Sequence, residues 1–338
     1  MPENTVKAFF GGFRVATSIS AAQKEVRSKE DDSLYIQNSC DDLNIRSAEN
    51  GRSLIKATLK RTLSDTGKEA IVYETNAVCD IDGEEYPVLA KILRTTSERT
   101  KAKMRLLCSN NFTKKGIACP IGWLSRTSNG NDCVGLLMPR VSDYVSLDNY
   151  ILTGIKTKER LRIAEQLVSN FLYLSERNIQ LVDFNKSNFL VTKEKNDVWF
   201  IDADSYQIEN FPCTVVAPDR MYDHPWRILQ GFSDYASELR KPYELAYGIC
   251  VLLFEVLIAA QPYENFGDDL SCSENILAGR FQFSNGKGPN PLNIKLWQQC
   301  PTNLKWLFTN IFDAGGYFFY RKNNGFDMKK LKYYFYKK

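Results

Sequence analysis

The sequence contains a single histidine, His224, among its 338 residues. A serine-histidine-aspartate triad, a histidine general base and a metal site with several histidine ligands are therefore nearly excluded. The nine cysteines include no C-x-x-C pair, which argues against a zinc site and favours reduced thiols in a cytoplasmic protein. The longest apolar run, from Tyr247 to Phe254, is well short of the about 18–20 residues that a membrane-spanning helix needs.

Charge is nearly balanced along the chain. Basic and acidic residues number 44 and 40, so the net charge of +4 does not favour a specific nucleic-acid partner. Hydrophobic residues make up 43% and charged residues 25%, which is typical of a globular protein. A chain of 338 residues exceeds one minimal domain, and its length predicts two lobes that share a cleft.

The chain changes character twice, which predicts three segments. Residues 1–53 are polar without sustained periodicity and are interpreted as an N-terminal extension that is partly ordered at most. Residues 54–141 are rich in strand-like patterns, and residues 142–338 in helical ones. The expected fold class is α+β, with a small antiparallel β-sheet lobe that carries one helix and a larger, mainly helical lobe.

Individual elements follow from hydrophobic periodicity and from turn residues. In the smaller lobe we predict one helix over residues 96–108 and strands over residues 53–63, 70–78, 85–93, 117–124 and 134–139. In the larger lobe we predict helices over residues 158–176, 241–258, 304–312 and 328–336.

The stretch from 179 to 207 carries the densest pattern of chemical groups. Two apolar runs, residues 189–191 and 198–201, predict a β-hairpin. Asp183 and Asn188 precede its first strand, whereas Asp202 and Asp204 follow its second strand. A hairpin would bring these oxygen atoms together, and such hard ligands suit Mg²⁺. Any one of these residues could instead cap a turn, which is the commoner role for acidic and amide residues at strand ends.

This pattern resembles the catalytic and metal-binding loops of protein kinases. Residues 183–188 match D-x-x-x-x-N, and Asp202 stands where the metal-binding aspartate would be. The run DFNKSNFLV followed by FIDADSY is most similar to a divergent, atypical bacterial protein-kinase-like family related to helix-hairpin-helix-associated kinases. The histidine and arginine that usually precede the aspartate are replaced by Leu181 and Val182.

The resemblance implies a two-lobed kinase-like fold that binds ATP and Mg²⁺. Asp183 would orient, and deprotonate, the acceptor hydroxyl, and Lys186 or Asn185 would meet the transferred phosphoryl group. Asn188 and Asp202 would hold the metal. For Asp204 two roles stay open, a further metal contact or a cap on the following turn.

Lys91 lies in the segment VLAKI, which resembles the V-A-I-K strand whose lysine contacts the nucleotide phosphates. The alternative is a strand-edge lysine with its ammonium group in water. Kinase-like lobes pair this lysine with a helical glutamate, and Glu98 is the only acidic residue between Lys91 and Asp132. Glu98 is therefore the expected partner, although a first-turn glutamate also complements the helix dipole.

Further nucleotide-binding residues follow from the same resemblance. Only the middle one of the three glycines in the usual phosphate-covering loop is present, as Gly67. The connector between the lobes would lie at 138–141. The full expected nucleotide-binding set is Gly67, Val72, Ala90, Lys91, Pro139, Val141 and Leu190.

The expected function is an ATP- and Mg²⁺-dependent phosphotransferase that acts on Ser or Thr of an unidentified protein substrate. Two alternatives stay open. The missing glycines and the missing His-Arg pair favour a pseudokinase that serves as a nucleotide-binding or protein-interaction module. A kinase-like fold could also transfer AMP to a protein.

Overall fold

The computed structural model describes residues 5–9, 15–17, 43–46, 54–64, 70–94, 97–110, 112, 114–126, 132–213, 220–231, 238–264, 271–313 and 328–336. The chain divides into two compact units. The first unit comprises Met1–Ser142 together with Ile201–Asp204, and the second comprises Asp143–Phe200 and Ser205–Lys338.

The first unit is built on one large sheet. Its strands are β1 (Thr5–Phe9), β2 (Val15–Thr17), β3 (Leu43–Arg46), β4 (Leu54–Ser64), β5 (Ala70–Ile81), β6 (Glu84–Leu93), β7 (Gly122–Arg126) and β8 (Asp132–Pro139). They run in the order β2-β5-β4-β1-β3-β7-β8-β6, and β6 also pairs with β5, which closes the strands from β5 to β6 into a ring and leaves β2 outside it. All pairs are antiparallel except β1 with β3. Three of these strands come from residues 1–53, the predicted extension.

Lys91 lies in the β5–β6 hairpin, and the residues of its turn explain why the chain forms this hairpin. Its turn is Asp82-Gly83, and both residues have positive φ, which an Asp-Gly pair adopts at low cost. The Asp80 carboxylate accepts a hydrogen bond from the Gly83 backbone N–H at 3.2 Å. Ala90 and Ile92 are fully buried, which fixes the register that places Lys91 opposite Val72.

The helix of this unit, α1, spans Glu98–Ser109. Its N-cap is Ser97, whose hydroxyl accepts a hydrogen bond from the Thr100 backbone N–H at 3.1 Å. Met104 and Leu107 lie on its buried face. The predicted helix at 96–108 is therefore present with its boundaries shifted by one or two residues.

One predicted strand starts later than its hydrophobic pattern indicates. The expected range was 117–124, but β7 begins at Gly122. Pro120 lacks a backbone N–H and cannot donate to a sheet. Ile117 forms only an isolated bridge with Lys114, although its side chain is fully buried. The apolar run thus serves the core without belonging to the sheet.

The second unit is mainly helical. Its helices are α2 (Leu147–Leu152), α3 (Thr157–Ser175), α4 (Pro225–Leu229), α5 (Pro242–Ile258), α6 (Cys272–Leu277), α7 (Pro291–Gln299), α8 (Thr302–Phe312) and α9 (Met328–Tyr336). Its short strands are β9 (Tyr144–Ser146), β10 (Ile179–Gln180), β11 (Phe189–Thr192), β12 (Val198–Phe200) and β13 (Gln207–Ile208). The sheet pairs of this unit are antiparallel.

Helix α5 is the core of the second unit, because nearly all of its residues from Glu244 to Ile258 are buried. Phe254 contacts several aromatic rings edge-on, among them Phe283 and Phe308. Full burial of one such ring is worth about 2–3 kcal/mol.

Across the described part of the chain, no helix combines the length and the apolar character that a bilayer span requires. The overall class, a mixture of helices and antiparallel sheet, is as predicted.

Candidate functional site

The hairpin predicted around the acidic residues is present in the second unit. Strands β11 and β12 pair antiparallel, with Phe189 opposite Phe200 and Val191 opposite Val198. Phe189, Val191, Val198 and Phe200 are buried almost completely, so the register is set by the core. The segment before β11 is a 3-10 turn, Lys186–Asn188.

The Asp183 carboxylate is held by two hydrogen bonds. The Asn185 backbone N–H donates to one oxygen at 3.2 Å, and the Asn188 side-chain amide donates to the other at 2.9 Å. Asp183 and Asn188 are both mostly buried. The Asn185 side chain meanwhile accepts from the Ser187 backbone N–H at 3.1 Å, which stabilises the turn. The spacing predicted from sequence therefore brings Asp183 and Asn188 into direct contact.

Asp183 lines a pocket of about 180 Å³ in the second unit. Its walls come from the Asp183 loop, from residues 222–223 and from the start of helix α5. The lining residues are Val182, Asp183, Phe184, Asn185, Lys186, Tyr222, Asp223, Arg240, Glu244 and Leu245.

Most of the charges at this pocket are neutralised in pairs. The three pairs are Arg240 with Asp223 at 3.0 Å, Arg227 with Glu244 at 2.7 Å, and Lys186 with Glu255 at 3.3 Å. Asp183 differs from the other lining carboxylates, because within the described residues it takes part in no ion pair. Its carboxylate therefore lines the pocket with two hydrogen bonds and without an ion-pair partner among the described residues. A carboxylate in that state can accept a proton from a group that enters the pocket.

Lys186 has its ammonium group on a buried carboxylate. Glu255 of helix α5 accepts from Lys186 at 3.3 Å and also from the Tyr222 hydroxyl. The Tyr222 ring stacks on Phe184, with centroids 5.3 Å apart. The sequence prediction placed Lys186 at the transferred phosphoryl group; the structure places it at the pocket wall with Glu255 as its partner.

The Asp183 loop lies directly on helix α5 at Gly248. A Cβ atom at Gly248 would come within 2.5 Å of the Phe184 ring, a separation that real Cβ atoms do not tolerate. The loop can therefore approach the helix only because residue 248 has no side chain. The position of Asp183 follows from the packing of its neighbour Phe184.

The first unit holds a second charged cluster, around Lys91. The Lys91 ammonium contacts the carboxylates of Asp202 and of Asp204, the latter at 2.6 Å. Burial alone would lower the pKa of Lys91, but Asp204 and Asp202 outweigh it and raise the pKa above its ordinary value. Lys91 is therefore a fixed positive charge across the physiological pH range.

Glu98, the predicted partner of Lys91, lies elsewhere. It is the first residue of α1, its side chain is 80% exposed, and its carboxylate accepts from Lys101 at 2.8 Å. This is an i,i+3 pair between the exposed Glu98 and the buried Lys101, and a first-turn glutamate commonly makes such a contact within its own helix. The expected Lys91–Glu98 pair is thus replaced by Lys91 with Asp202 and Asp204.

The remaining predicted nucleotide-binding residues are distributed over both units. In the first unit, Ala90 is fully buried, Val72 pairs with Lys91 across the sheet, and Pro139 pairs with Val88. Val141 is buried just beyond β8. In the second unit, Leu190 is buried in β11 opposite Trp199. Gly67 lies outside the described residues.

The donor atoms at Asn188 and Asp202 are of the type that Mg²⁺ prefers. They supply one amide oxygen and one carboxylate, and Mg²⁺ usually takes one or two protein carboxylates with water and phosphate oxygens. No group of three or more His, Cys, Asp or Glu side chains that could hold a metal occurs within the described residues. By its donor chemistry, each of these two residues suits a hard ion that keeps water and phosphate oxygens among its ligands.

Several residues of the pocket were not singled out from sequence. Tyr222, Asp223, Arg240 and Glu244 are distant in sequence from Asp183, and no local pattern links them. Glu255 did carry a signal, because it ends the apolar run of α5 and is nevertheless buried. A charged residue inside an otherwise buried helix requires a partner, and that requirement points to Lys186 and Tyr222.

No protein-family model matches the chain, and no curated protein matches it either. Among solved structures, the chain is similar to the kinase PK-1 of Cydia pomonella granulovirus, with 16% identity and a TM-score of 0.47. The alignment covers 76% of this chain and 87% of that chain. The functional argument for this protein therefore depends on the residues of its two charged clusters.

Proposed function

We propose that the protein is an ATP- and Mg²⁺-dependent phosphotransferase with a two-lobed, protein-kinase-like architecture that acts on Ser or Thr hydroxyls of a protein. The observation that carries the proposal is the state of Asp183. It lies in a pocket, two hydrogen bonds hold its carboxylate, and no cation pairs with it among the described residues. A general base for an alcohol needs this combination of fixed geometry and available charge.

In the proposed reaction, the acceptor hydroxyl enters the pocket and points at the Asp183 carboxylate. The hydroxyl oxygen forms a bond to the γ-phosphorus of ATP, while the bond from that phosphorus to the bridging oxygen breaks. The hydroxyl proton passes to Asp183, and ADP carries away the electron pair of the broken bond. Asn188 keeps the Asp183 carboxylate oriented through its 2.9 Å hydrogen bond.

Lys91 supplies the positive charge for the nucleotide phosphates. Its ammonium group is held in place by two carboxylates, so little entropy is lost when phosphate oxygens approach it. Asn188 and Asp202 would hold Mg²⁺, which when bound neutralises the charge of the β- and γ-phosphates.

One observation favours a non-catalytic module instead. Lys91 contacts both Asp202 and Asp204. The proposed phosphate-binding lysine is thus bound to Asp202, which is itself a proposed metal ligand. A pseudokinase could keep this arrangement permanently, whereas an enzyme must open it when nucleotide binds. AMP transfer is the other alternative, and it is distinguished by the phosphorus atom that is transferred.

The test uses purified protein, Mg²⁺ and ATP labelled on either the γ- or the α-phosphate, with dephosphorylated casein as the acceptor. We expect label transfer from the γ-position only. Asp183→Asn keeps the side-chain shape but cannot accept the proton, so transfer should fall by about 10²-fold or more. Glu194→Gln, an exposed charge removal on the turn of the same hairpin, serves as the matched control.

The outcomes separate the three functions. Transfer from the α-position would show AMP transfer. No transfer, combined with ATP binding measured by calorimetry, would identify the pseudokinase. Equal transfer by wild type and Asp183→Asn would remove Asp183 from the mechanism.

A further inference from the structure

We propose that Asp204, and not a glutamate of helix α1, is the positioning residue that holds Lys91 for the nucleotide. The inference depends on the proposed phosphotransferase function, because it assigns the means by which the phosphate-binding lysine of that function is fixed. It also separates the roles of the two aspartates in the Asp202-Ala203-Asp204 segment.

The geometry around Lys91 supports this assignment directly. The ammonium nitrogen lies 2.6 Å from an Asp204 oxygen, and the two side chains are only 12% and 9% exposed. A charge-assisted hydrogen bond that is largely shielded from water is among the strongest polar contacts in a protein. Asp204 can therefore restrain the end of a long and otherwise flexible side chain.

Helix α1 offers no alternative carboxylate. Its sequence is ERTKAKMRLLCS, so Glu98 is its only acidic residue. Glu98 is 80% exposed and is bound to Lys101. The helix consequently supplies no carboxylate to Lys91. The carboxylate comes instead from Asp204, which is 113 residues further along the chain than Lys91.

The two aspartates differ in a way that divides their roles. Asp202 is 32% exposed, whereas Asp204 is 9% exposed. The more exposed Asp202 is accessible to Mg²⁺, and the more buried Asp204 stays with Lys91.

The backbone explains how neighbouring residues reach the same lysine. Asp202 adopts a left-handed conformation with φ of 65°, and the chain then enters the 3-10 turn Ala203–Ser205. In this tight turn the carboxylates of Asp202 and Asp204 both reach one ammonium group. In an extended strand the two side chains would lie on the same face but would be separated by the length of two residues.

The experiment is a double-mutant cycle on ATP binding, measured by calorimetry in the presence of Mg²⁺. The variants are Lys91→Met, Asp204→Asn and the two combined. If Asp204 acts through Lys91, Asp204→Asn should weaken ATP binding by roughly tenfold in the wild-type background and by less than about twofold in the Lys91→Met background. A merely structural role would give similar losses in both backgrounds.

Three further variants define specificity. Asp204→Glu keeps the charge and should recover part of the affinity, whereas Asp204→Ala replaces Asp204→Asn in the cycle if Asp204→Asn does not fold. Asp202→Asn should raise the Mg²⁺ concentration needed for half-maximal binding, which Asp204→Asn should not do. Glu85→Gln, an exposed charge removal on the same strand as Lys91, is the matched control for net charge.

The results distinguish failure of this inference from failure of the function. If the wild type binds ATP and transfers phosphate but Asp204→Asn behaves like wild type, only the role of Asp204 is wrong. If Glu98→Gln weakens ATP binding more than Asp204→Asn, the helix glutamate is the holder and the inference is overturned. If the wild type binds no ATP, the proposed function fails and this inference fails with it.

Discussion

The two charged clusters of this protein are organised differently. In the first unit, the Lys91 ammonium group contacts two carboxylates, those of Asp202 and Asp204, and Asp202 is partly exposed. Around the pocket of the second unit, each paired carboxylate has its own cation, except that Arg227 lies 3.7 Å from Glu238 as well as contacting Glu244, and the Arg227–Glu244 pair is only 2% exposed on each side. Asp183 is the lining carboxylate that stands outside this matching among the described residues.

The difference indicates separate roles for charge in the two units. Of the paired charges in the second unit, Arg227 and Glu244 link helices α4 and α5. Asp202, the more exposed carboxylate of the first unit, shares Lys91 with Asp204, and Asp183 of the second unit takes part in no ion pair among the described residues. Carboxylates in these two situations can bind a cation or accept a proton.

The largest expected effect is on the buried pair of the second unit. Arg227→Met leaves Glu244 without its cation in a buried site, and we expect the free energy of unfolding to fall by about 3–5 kcal/mol. Asp202→Asn in the first unit should change it by less than about 1 kcal/mol, because Lys91 retains Asp204 and the site is partly exposed. Denaturant unfolding of both variants measures the contrast.

The double variant Arg227→Met with Glu244→Gln provides the control for this prediction. It removes both charges and should recover part of the loss. Equal destabilisation by Arg227→Met and Asp202→Asn would show that the two clusters do not differ in the proposed way.

A smaller effect is expected from His224, whose burial keeps it uncharged beside the Arg227–Glu244 pair. Burial lowers the pKa of His224 to about 4, while Glu244 raises it and Arg227 lowers it. The unfolded state binds a proton near pH 6.5 and the folded state does not, so stability is complete above that pH and decreases as the pH falls toward 4. The loss should reach about 3 kcal/mol.

His224→Asn isolates this contribution. His224 is the N-cap of α4 and accepts from the Trp226 backbone N–H at 3.2 Å, which an asparagine can also do. The pH dependence of unfolding should therefore be shallower in the variant between pH 6.5 and 4. If stability depends on pH in the same way in the wild type and in His224→Asn, protonation of His224 does not destabilise the protein.

The smallest of the three effects tests how the second unit holds Asp183. Alanine normally stabilises a helix relative to glycine by about 1 kcal/mol. In Gly248→Ala, however, the new methyl group meets the Phe184 ring at 2.5 Å, so we expect a net loss of about 1–3 kcal/mol in unfolding free energy.

The companion variant Gly248→Ala with Phe184→Leu makes room for the methyl group. It should be more stable than expected from the sum of the single changes. A stabilised Gly248→Ala protein would mean that the Asp183 loop is not fixed by contact with α5.

Local patterns in the sequence predicted much of this structure. The β11–β12 hairpin, the helices α3 and α5 and the contact of Asp183 with Asn188 all follow from residues close to one another in the chain. Apolar periodicity and short polar spacings are sufficient for such features, because the interacting groups are fixed by one or two elements. The predicted strand at 117–124 begins too early, because apolar periodicity does not reveal that Pro120 lacks a backbone N–H for the sheet.

The partner of Lys91 could not be found in that way. Lys91 and Asp204 are 113 residues apart, and their contact depends on how the chain returns to the first unit after β12. The sequence that follows Lys91 offers only Glu98 as an acidic residue before Asp132, so local sequence favours the wrong carboxylate. The ion pairs Asp223–Arg240 and Arg227–Glu244 could not be predicted for the same reason, because paired charges on separate elements leave no periodic pattern in the sequence.

The left-handed backbone at Asp202 has a consequence for how this position can vary. Among residues with a side chain, aspartate and asparagine tolerate φ near 65°, whereas β-branched residues do so only with strain. An exchange of Asp202 for asparagine thus alters charge while leaving the main chain undisturbed, but an exchange for valine or threonine would alter both. The main chain itself narrows the set of amino acids that evolution or an engineer can place at this point.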